Sequence, residues 1–256
     1  MDRHGFRMIR SDYRQAAATV VTELTGNGVH IWQLSLLANS EVVSGDTLSK
    51  NEIRQAERFH FTTDRLKFIL TRTMLRSLLS RYAGVEAKKL TLAYNRHGKP
   101  YLLNPDRDKP VFFNVTHSQD IALFAFSRQG EIGIDIEYMR DNIKYLELAQ
   151  RFFSAQEYQA LAQLSGNELK TGFYRCWTRK EAFIKAVGTG LSFSLGKFAV
   201  NFENNDNPKL LWADTAHFSG TCNMFPILDD EYYCAALACL CHPGQVDFYY
   251  CPQNLD

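Results

Sequence analysis

The sequence predicts an α+β protein made of two similar halves. Along the 256 residues, some segments alternate apolar and polar residues as strands do, and others have the apolar periodicity of amphipathic helices,. With 45% hydrophobic residues the chain can bury a sizeable core,. A strand, a capped helix and a long helix occur in the same order twice, 105 residues apart,. We therefore predict two α+β halves, 1–129 and 130–256, related by a pseudo-twofold repeat with the active site in the cleft between them.

The repeat depends on three matches made without a gap. Gly28-Val-His-Ile-Trp32 falls on Gly133-Ile-Asp-Ile-Glu137, Ser49-x-x-Glu52 on Ser154-x-x-Glu157, and Phe68 on Phe173. The alternative is a coincidence between two ordinary strand-helix-helix units. Identity is low, but pattern and spacing agree over about fifty residues, which favours a true repeat.

The first half begins with a weakly patterned leader, residues 1–27. Ser49-x-x-Glu52 has the form of a capping box and opens the first helix, and Gly84 ends the second. A turn is expected at 116–120. The predicted elements are a strand at 28–36, helices at 50–59 and 64–82, and strands at 90–94, 99–103, 111–115 and 121–127.

The second half begins with a strand at 131–138. Ser154-x-x-Glu157 opens a further capped helix, and the helix containing 173–185 ends at Gly188 and Gly190. The predicted strands of the remaining chain are 197–202, 209–212, 232–240 and 246–250.

Composition excludes several classes of function. A formal charge of +1 gives no general attraction to nucleic acid or to an anionic membrane,. No apolar run reaches the roughly 18 residues of a membrane span, and the N-terminus lacks a signal-peptide layout, so we expect a cytoplasmic protein. None of the six cysteines is spaced as C-x-x-C. Cys239, Cys241 and His242 could suggest zinc, but their strand-like surroundings favour structural thiols.

Two acids of the strand at 131–138 point to one face. Ile132, Ile134 and Ile136 alternate with Asp135 and Glu137, whose Cα atoms lie about 6.6 to 6.8 Å apart at the usual rise. Two carboxylates near this distance repel by about 2.4 kcal/mol at an effective dielectric of about 20. Solvent compensates if the face is exposed, and a divalent cation if it is enclosed.

The helix at 173–185 adds a third acid. Lys180 falls within its apolar stripe, and Glu181 and Lys185 lie on the shoulder, where they could form a surface pair worth about 0.3 to 0.5 kcal/mol. In the repeat, however, Asp135, Glu137 and Glu181 replace His30, Trp32 and Arg76. Three acids that are peculiar to one half favour a shared Mg²⁺ site, with Lys180 or Lys185 facing the anion that the metal holds.

Four ordered motifs resemble those of the Sfp-type 4'-phosphopantetheinyl transferases, in their larger, two-lobed and monomeric form. The motifs are Gly98-Lys-Pro100, Asn114-x-Thr116-His-Ser118, Gly133-x-Asp135-x-Glu137 and Trp177-x-x-Lys180-Glu181-Ala-x-x-Lys185. The resemblance runs from about Val29 to Phe193, and no motif anchors it beyond residue 200. It implies the pseudo-twofold fold of that family.

The resemblance also implies an activity, which is transfer of the phosphopantetheine arm of coenzyme A to a serine of an acyl, peptidyl or aryl carrier protein. Mg²⁺, or Mn²⁺ in its place, would be held by Asp135, Glu137 and Glu181. Lys185 would neutralise the pyrophosphate, with help from Lys180. Glu181 is the first candidate for the base that takes the serine proton, with Glu137 or a bound water as alternatives.

The remaining implied contacts are to coenzyme A. His117 and Thr116, which stands where the family often has serine, would meet its phosphates. Gly98, Lys99 and Pro100 would pack at the adenine, and Arg65 and Lys67 would meet the 3'-phosphate. The motifs do not distinguish carriers of fatty acid synthesis from those of polyketide or nonribosomal peptide synthesis. Two other functions remain open, a catalytically silent module that binds coenzyme A or a carrier, and a Mg²⁺-dependent pyrophosphate hydrolase.

Overall fold

The structure is a computed structural model that describes residues 14–16, 23–24, 26–37, 45–103, 110–203 and 205–251. For 14–16 and residue 191 only the backbone is described. Most of the predicted leader, 1–27, lies outside the described residues.

The strands are β1 Arg14–Ala16, β2 Gly28–Ser35, β3 Leu92–Tyr94, β4 Pro100–Leu102, β5 Phe112–Ser118, β6 Ile121–Ser127, β7 Ile132–Tyr138, β8 Phe198–Val200, β9 Leu210–Ala213, β10 Asn223–Asp229, β11 Tyr233–Cys239 and β12 Gln245–Tyr250. The α-helices are α1 Lys50–Glu57, α2 Thr62–Ala83, α3 Tyr145–Phe152, α4 Ala155–Leu161 and α5 Gly166–Val187.

Two main sheets carry the mixed α+β fold. The first sheet has the order β1-β12-β2-β6-β5 and the second the order β10-β11-β7, while β3-β4 and β8-β9 form separate ribbons. β12 lies parallel to β2, with Gln245 opposite Gly28. The last strand of the predicted 130–256 half therefore belongs to the first sheet. The division at 129/130 itself stays a prediction.

The two sheets pack face to face between two helices. Residues of α2 such as Leu70 and Leu78 cover one face of the first sheet, and α5 covers the outer face of the second through residues such as Phe183. Between the sheets lies an aliphatic layer that includes Val29 and Ile134. Because β6 is covered on both faces, all seven of its residues are buried, and it reads as a continuous apolar run rather than an alternating one,.

The helix ends follow the sequence closely. Both predicted capping boxes are confirmed, since the backbone N–H of Ser49 donates to Glu52 and that of Ser154 to Glu157. Gly84 ends α2 with a φ of +66° and Gly188 ends α5 with a φ of +75°, the left-handed conformation that glycine adopts without steric cost,.

Each capping-box glutamate also forms an ion pair with a buried basic side chain of the long helix that follows it. Glu52 Oε2 lies 2.8 Å from Arg76 Nε, and Glu157 Oε2 lies 2.6 Å from Lys180 Nζ. Arg76 and Lys180 follow the first residues of their 22-residue helices, Thr62 and Gly166, by the same 14 positions. Within the helices the offset is therefore 180 − 76 = 104.

At an offset of 104 Arg76 corresponds to Lys180 and not to Glu181, and Phe68 corresponds to Gly172 and not to Phe173, so both matches made at an offset of 105 within these helices were wrong. The capping boxes themselves keep the offset of 105, so the register changes by one residue between α4 and α5.

Lys180 is fully buried and is directed towards α4 and β8. Its Nζ lies 2.7 and 2.6 Å from the two carboxylate oxygens of Glu157 and 2.7 Å from the carbonyl oxygen of Phe198. The expected contact of Lys180 with the pyrophosphate does not fit this position, because all three ammonium protons have partners inside the core.

Four elements differ from the sequence-based expectation. β1 lies within the segment 1–27, where no strand was predicted. α3 and β10 were not predicted, and β5 continues through Ser118, so the turn expected at 116–120 is confined to Gln119 and Asp120. Thr116 and His117 are strand residues as a result. None of the helices that the structure describes is long and apolar enough to cross a lipid bilayer.

A buried histidine links β2 to α2. His30 Nδ1 lies 2.9 Å from the hydroxyl of Tyr82, which also accepts the indole N–H of Trp32 at 2.7 Å. Asp247 lies 3.8 Å from His30 Nε2. Burial lowers the pKa of His30 to about 4, although Asp247 acts in the opposite direction.

We expect Lys180→Met to lower the free energy of unfolding by about 3 to 5 kcal/mol, because it leaves the Glu157 carboxylate buried without its cation. Lys144→Met removes an exposed lysine from an i,i+3 pair with Glu147 and should change stability by less than about 0.5 kcal/mol,. Urea unfolding of both variants checks the difference. Equal effects would contradict a structural role for Lys180.

His30 should make the protein labile to acid. Its folded pKa of about 4 is below the usual 6.5, so the unfolded chain binds more protons as pH falls,. The stabilisation is complete above about pH 6.5, falls by about 2 kcal/mol at pH 5, and is lost below about pH 4. Urea unfolding at pH 8 and pH 5 should show a smaller pH dependence for His30→Gln than for the unsubstituted protein.

Candidate active site

Helix α5 touches strand β7 at Gly133. A Cβ atom placed on Gly133 would lie 2.1 Å from the carbonyl oxygen of Ala182 and 2.3 Å from the amide nitrogen of Ala186, so no side chain fits between helix and strand. This close approach brings the helix residues Glu181 and Lys185 beside the acids of β7. The glycine of the Gly-x-Asp-x-Glu motif is thus required by packing.

Asp135 and Lys185 form the centre of the site. Lys185 Nζ lies 2.6 Å from Asp135 Oδ1, 3.2 Å from Thr116 Oγ1 and 3.3 Å from the carbonyl oxygen of Ile134. Asp135 is only 4% exposed, and its Oδ2 has no hydrogen-bond partner. Burial raises the pKa of Asp135, and Lys185 and Thr116 oppose the shift.

Glu137 and Glu181 lie half-buried beside this pair. Burial, followed by the charges of Asp135 and Glu181, raises the pKa of Glu137 to about 7, against the opposing charge of Lys185. Burial and Asp135 raise the pKa of Glu181 as well. Asp135, Glu137 and Glu181, which we call the acid cluster, therefore place three carboxyl groups beside the single ammonium of Lys185. Ile132, Ile134 and Ile136 face the inter-sheet core, as predicted.

Side chains of β5 join its edge to β7. Asn114 Oδ1 accepts the backbone N–H of Ile134 at 2.9 Å, and Ser118 Oγ accepts that of Tyr138 at 2.9 Å. Between them Thr116 Oγ1 lies 3.4 Å from Asp135 Oδ1. The alternate residues of Asn114-x-Thr116-His-Ser118 therefore connect the two sheets, a role that sequence reasoning missed.

His117 points away from this connection, as strand alternation requires, and lines a cavity of about 550 Å³ against α2,. Positive charge and aromatic surface both line it. The residues of this α2 cavity are Gln55, Phe59, Asp64, Lys67, Phe68, Thr71, Arg72, Leu75, Pro100, Val115, His117 and Gln119. Burial first, and then the charges of Lys185, Lys67 and Arg72, lower the pKa of His117.

The turn before β4 attaches to the end of α5. Asn95 Nδ2 donates to the carbonyl oxygen of Gly188 at 2.7 Å, and Gly98 has a φ of +86°. Lys99 Nζ binds Glu131 and lies 3.1 Å from the carbonyl oxygens of Ile132 and Ala186. The ammonium of Lys99 is therefore engaged in holding the turn, while Pro100 lines the α2 cavity.

The two basic candidates on α2 occupy different places. Lys67 lines the α2 cavity, with its Nζ 2.9 Å from Asp120 Oδ1 and 2.8 Å from the carbonyl oxygen of Gln119. Arg65 is exposed and does not line the cavity. Arg72 does line it, with its guanidinium over the ring of Phe68. Nothing in the sequence distinguished Arg72 from the other basic residues of α2.

Among the residues that the structure describes, no three His, Cys, Asp or Glu side chains converge as a ready-made metal-binding group. Cys239, Cys241 and His242, which could suggest zinc in the sequence, do not form such a group either. The acid cluster nevertheless fits a hard cation chemically. It offers carboxylate oxygens, one of which is buried and unpartnered, and burial raises the pKa of all three carboxyl groups, so a cation beside them would stabilise their charged forms,.

These features define an α+β protein with an acid cluster and a lysine on one side of β5 and a basic cavity on the other. Residues 131–237 match the sequence profile of the 4'-phosphopantetheinyl transferase superfamily, and residues 38–129 match that of the N-terminal region of 4'-phosphopantetheinyl transferases. The chain belongs to this family.

Individual relatives agree with the profiles. The 4'-phosphopantetheinyl transferase HetI of Nostoc sp. is 37% identical over 171 residues, covering 66% of this chain and 72% of the relative. Sfp of Bacillus subtilis is 34% identical over 158 residues, covering 62% of this chain and 68% of the relative. A further 4'-phosphopantetheinyl transferase of Bacillus subtilis is 28% identical over 201 residues, covering 78% and 85%.

Gly133→Ala should separate α5 from β7. Because the new methyl group would overlap the helix backbone, we expect the free energy of unfolding to fall by about 1 to 3 kcal/mol or more. Gly196→Ala is the matched control, since its Cβ would meet nothing closer than 3.6 Å. Chemical denaturation of the two variants measures the contrast, and similar stabilities would show that the contact at Gly133 is not tight.

Proposed function

We propose that this protein transfers the 4'-phosphopantetheine arm of coenzyme A to a serine of an apo acyl, peptidyl or aryl carrier protein, releasing adenosine 3',5'-bisphosphate. The observation that carries the proposal is the grouping of Asp135, Glu137, Glu181 and Lys185 at the contact of α5 with β7. It is supported by family membership and by the basic α2 cavity on the other side of Thr116 and His117.

Coenzyme A would lie along β5. The α2 cavity would take the nucleotide end, where Lys67, Arg72 and His117 supply positive charge and hydrogen-bond donors for phosphate oxygens,. Gly98, Lys99 and Pro100 would border the adenine, with Lys99 acting through the shape of its turn. Thr116, the neighbour of His117 in β5, contacts Asp135 and Lys185, so the pyrophosphate would pass beside Lys185. Arg65, being outside the cavity, is no longer a preferred contact to the 3'-phosphate.

We propose that Asp135, Glu137 and Glu181 hold Mg²⁺, or Mn²⁺ in its place. When bound, the ion would offset charge on the pyrophosphate and polarise its phosphorus centre. Lys185 would neutralise a further part of this charge, and the enclosed surroundings of Asp135 would strengthen both effects by excluding water.

In the reaction, the carrier serine oxygen attacks the phosphorus next to the pantetheine arm. The bond from that phosphorus to the bridging oxygen breaks, and the bisphosphate leaves with the bonding electrons. A carboxylate takes the serine proton. We propose Glu181, the first choice from sequence, as this base, with Glu137 as the alternative, because burial raises the pKa of both carboxyl groups towards the range of a base that acts near neutral pH,.

We also infer that the two halves arose as an internal repeat with the site in the cleft between them. Sheet order supports this, since β6 lies between β2 and β5 as β11 lies between β7 and β10, with antiparallel pairing throughout. The paired buried cations Arg76 and Lys180 support it independently. We propose that the protein acts as a cytoplasmic monomer, without nucleic acid or membrane as a partner.

Neutralising the acid cluster should abolish transfer. Asp135→Asn and Glu181→Gln should each reduce the rate at least about 100-fold, because each removes a negative charge that would hold the metal beside the pyrophosphate. The assay mixes protein, coenzyme A, Mg²⁺ and an apo carrier protein and detects one added phosphopantetheine arm by intact mass. EDTA should stop the reaction, and added Mg²⁺ or Mn²⁺ should restore it.

Glu147→Gln, an exposed acid on α3, is the control and should keep the unsubstituted rate. No mass gain on several apo carriers would contradict the proposal and leave a binding module as the alternative. Release of the bisphosphate from coenzyme A without a carrier would instead indicate a hydrolase.

A further inference from the structure

Lys185 is held in the manner of a bound cation. Three oxygen atoms surround its ammonium group, namely Asp135 Oδ1 at 2.6 Å, Thr116 Oγ1 at 3.2 Å and the carbonyl oxygen of Ile134 at 3.3 Å. The three oxygens come from β5 and β7, while the lysine comes from the last turn of α5. An ammonium with three oxygen partners has all its protons satisfied.

This ammonium and a metal ion would draw on the same carboxylates. Asp135 gives Oδ1 to Lys185, and its buried Oδ2 has no partner. The Asp135 side chain is 6% exposed and that of Lys185 is 28% exposed, so water screens their mutual attraction only in part. A divalent cation bound to Oδ2 and the ammonium bound to Oδ1 would share one carboxylate group. At that separation the two positive charges repel strongly.

Building on the proposed function, we propose that Lys185 is the internal counter-ion of the acid cluster and makes metal binding depend on coenzyme A. Without the substrate, Lys185 holds Asp135 and weakens the affinity of the cluster for a divalent cation. The pyrophosphate supplies a second anion for the ammonium. Lys185 then turns from Asp135 to the substrate, and the metal binds with its competitor removed.

Such an arrangement requires positive coupling between the two ligands. By linkage, a factor by which coenzyme A tightens metal binding equals the factor by which the metal tightens coenzyme A binding. Lys185 supplies part of this factor, because its ammonium contacts a different anion in the free and in the loaded protein.

The test is titration of the protein with Mn²⁺ in the absence of coenzyme A, measuring free Mn²⁺ by electron paramagnetic resonance. Lys185→Met keeps most of the length of the side chain and removes its charge, and it should bind Mn²⁺ at least about tenfold more tightly than the unsubstituted protein. Lys185→Arg retains the charge and should stay within about threefold of it.

Lys170→Met is the matched control for net charge. Lys170 lies on the same helix but pairs with the exposed Asp141, so its loss should leave Mn²⁺ affinity within about threefold,. Thr116→Val provides a second route if Lys185→Met does not fold, which thermal melting will reveal. It removes one of the three oxygens around the ammonium and should tighten Mn²⁺ binding by about threefold or more.

The coupling itself is measured by repeating each titration with saturating coenzyme A. The substrate should raise the Mn²⁺ affinity of the unsubstituted protein, and by a smaller factor in Lys185→Met. Unchanged or weaker Mn²⁺ binding by Lys185→Met, or by Thr116→Val if the former does not fold, would overturn the inference. If the unsubstituted protein still modifies a carrier, the proposed function survives that result; if it modifies none, the proposed function fails whatever the titrations show.

Discussion

The contact of α5 with β7 at Gly133 is the constraint on which the site depends. A helix backbone in contact with a strand backbone leaves room for no side chain larger than hydrogen. Residues on either side of that point are therefore held close together although they are far apart in sequence. Glu181 and Lys185 meet Asp135 because Ala182 and Ala186 rest on Gly133, so charge is assembled by packing of small residues. The surrounding apolar core supplies the free energy that keeps three acids together against their repulsion,.

The sequence predicted well whatever local chemistry determines. Capping boxes, the glycines that end α2 and α5, and the alternation of Ile132, Asp135 and Ile136 each depend on a few neighbouring residues, and the structure confirms them. The sequence-based prediction was wrong where the position of a side chain depends on residues that are distant in sequence. Lys180 is buried because Glu157 and Phe198 meet it there, and neither partner can be identified from the spacing within α5.

The same distinction between local pattern and distant packing applies to the residues of the site. The family motifs identified Asp135, Glu137, Glu181 and Lys185, and the structure brings all four to the same contact of strand and helix. The motifs could not distinguish chemistry from scaffold, because both are retained in a family pattern. Lys99 and Asn114 carry hydrogen bonds that fix the turn and the strand edge. Arg72 joins the α2 cavity because of where α2 lies against β5, which depends on the packing of the whole first sheet.

The connection between β5 and β7 has a further consequence, for the second edge of the β10-β11-β7 sheet. β7 pairs with β11 along one edge only, and the N–H groups on the other edge of such a strand need partners that no neighbouring strand supplies,. The side chains of Asn114 and Ser118 accept two N–H groups of β7, those of Ile134 and Tyr138. Polar side chains of one sheet thus complete the hydrogen bonding of the other. Replacing Asn114 with an apolar residue would leave the N–H of the buried Ile134 without this partner while every charged residue of the site remains in place,.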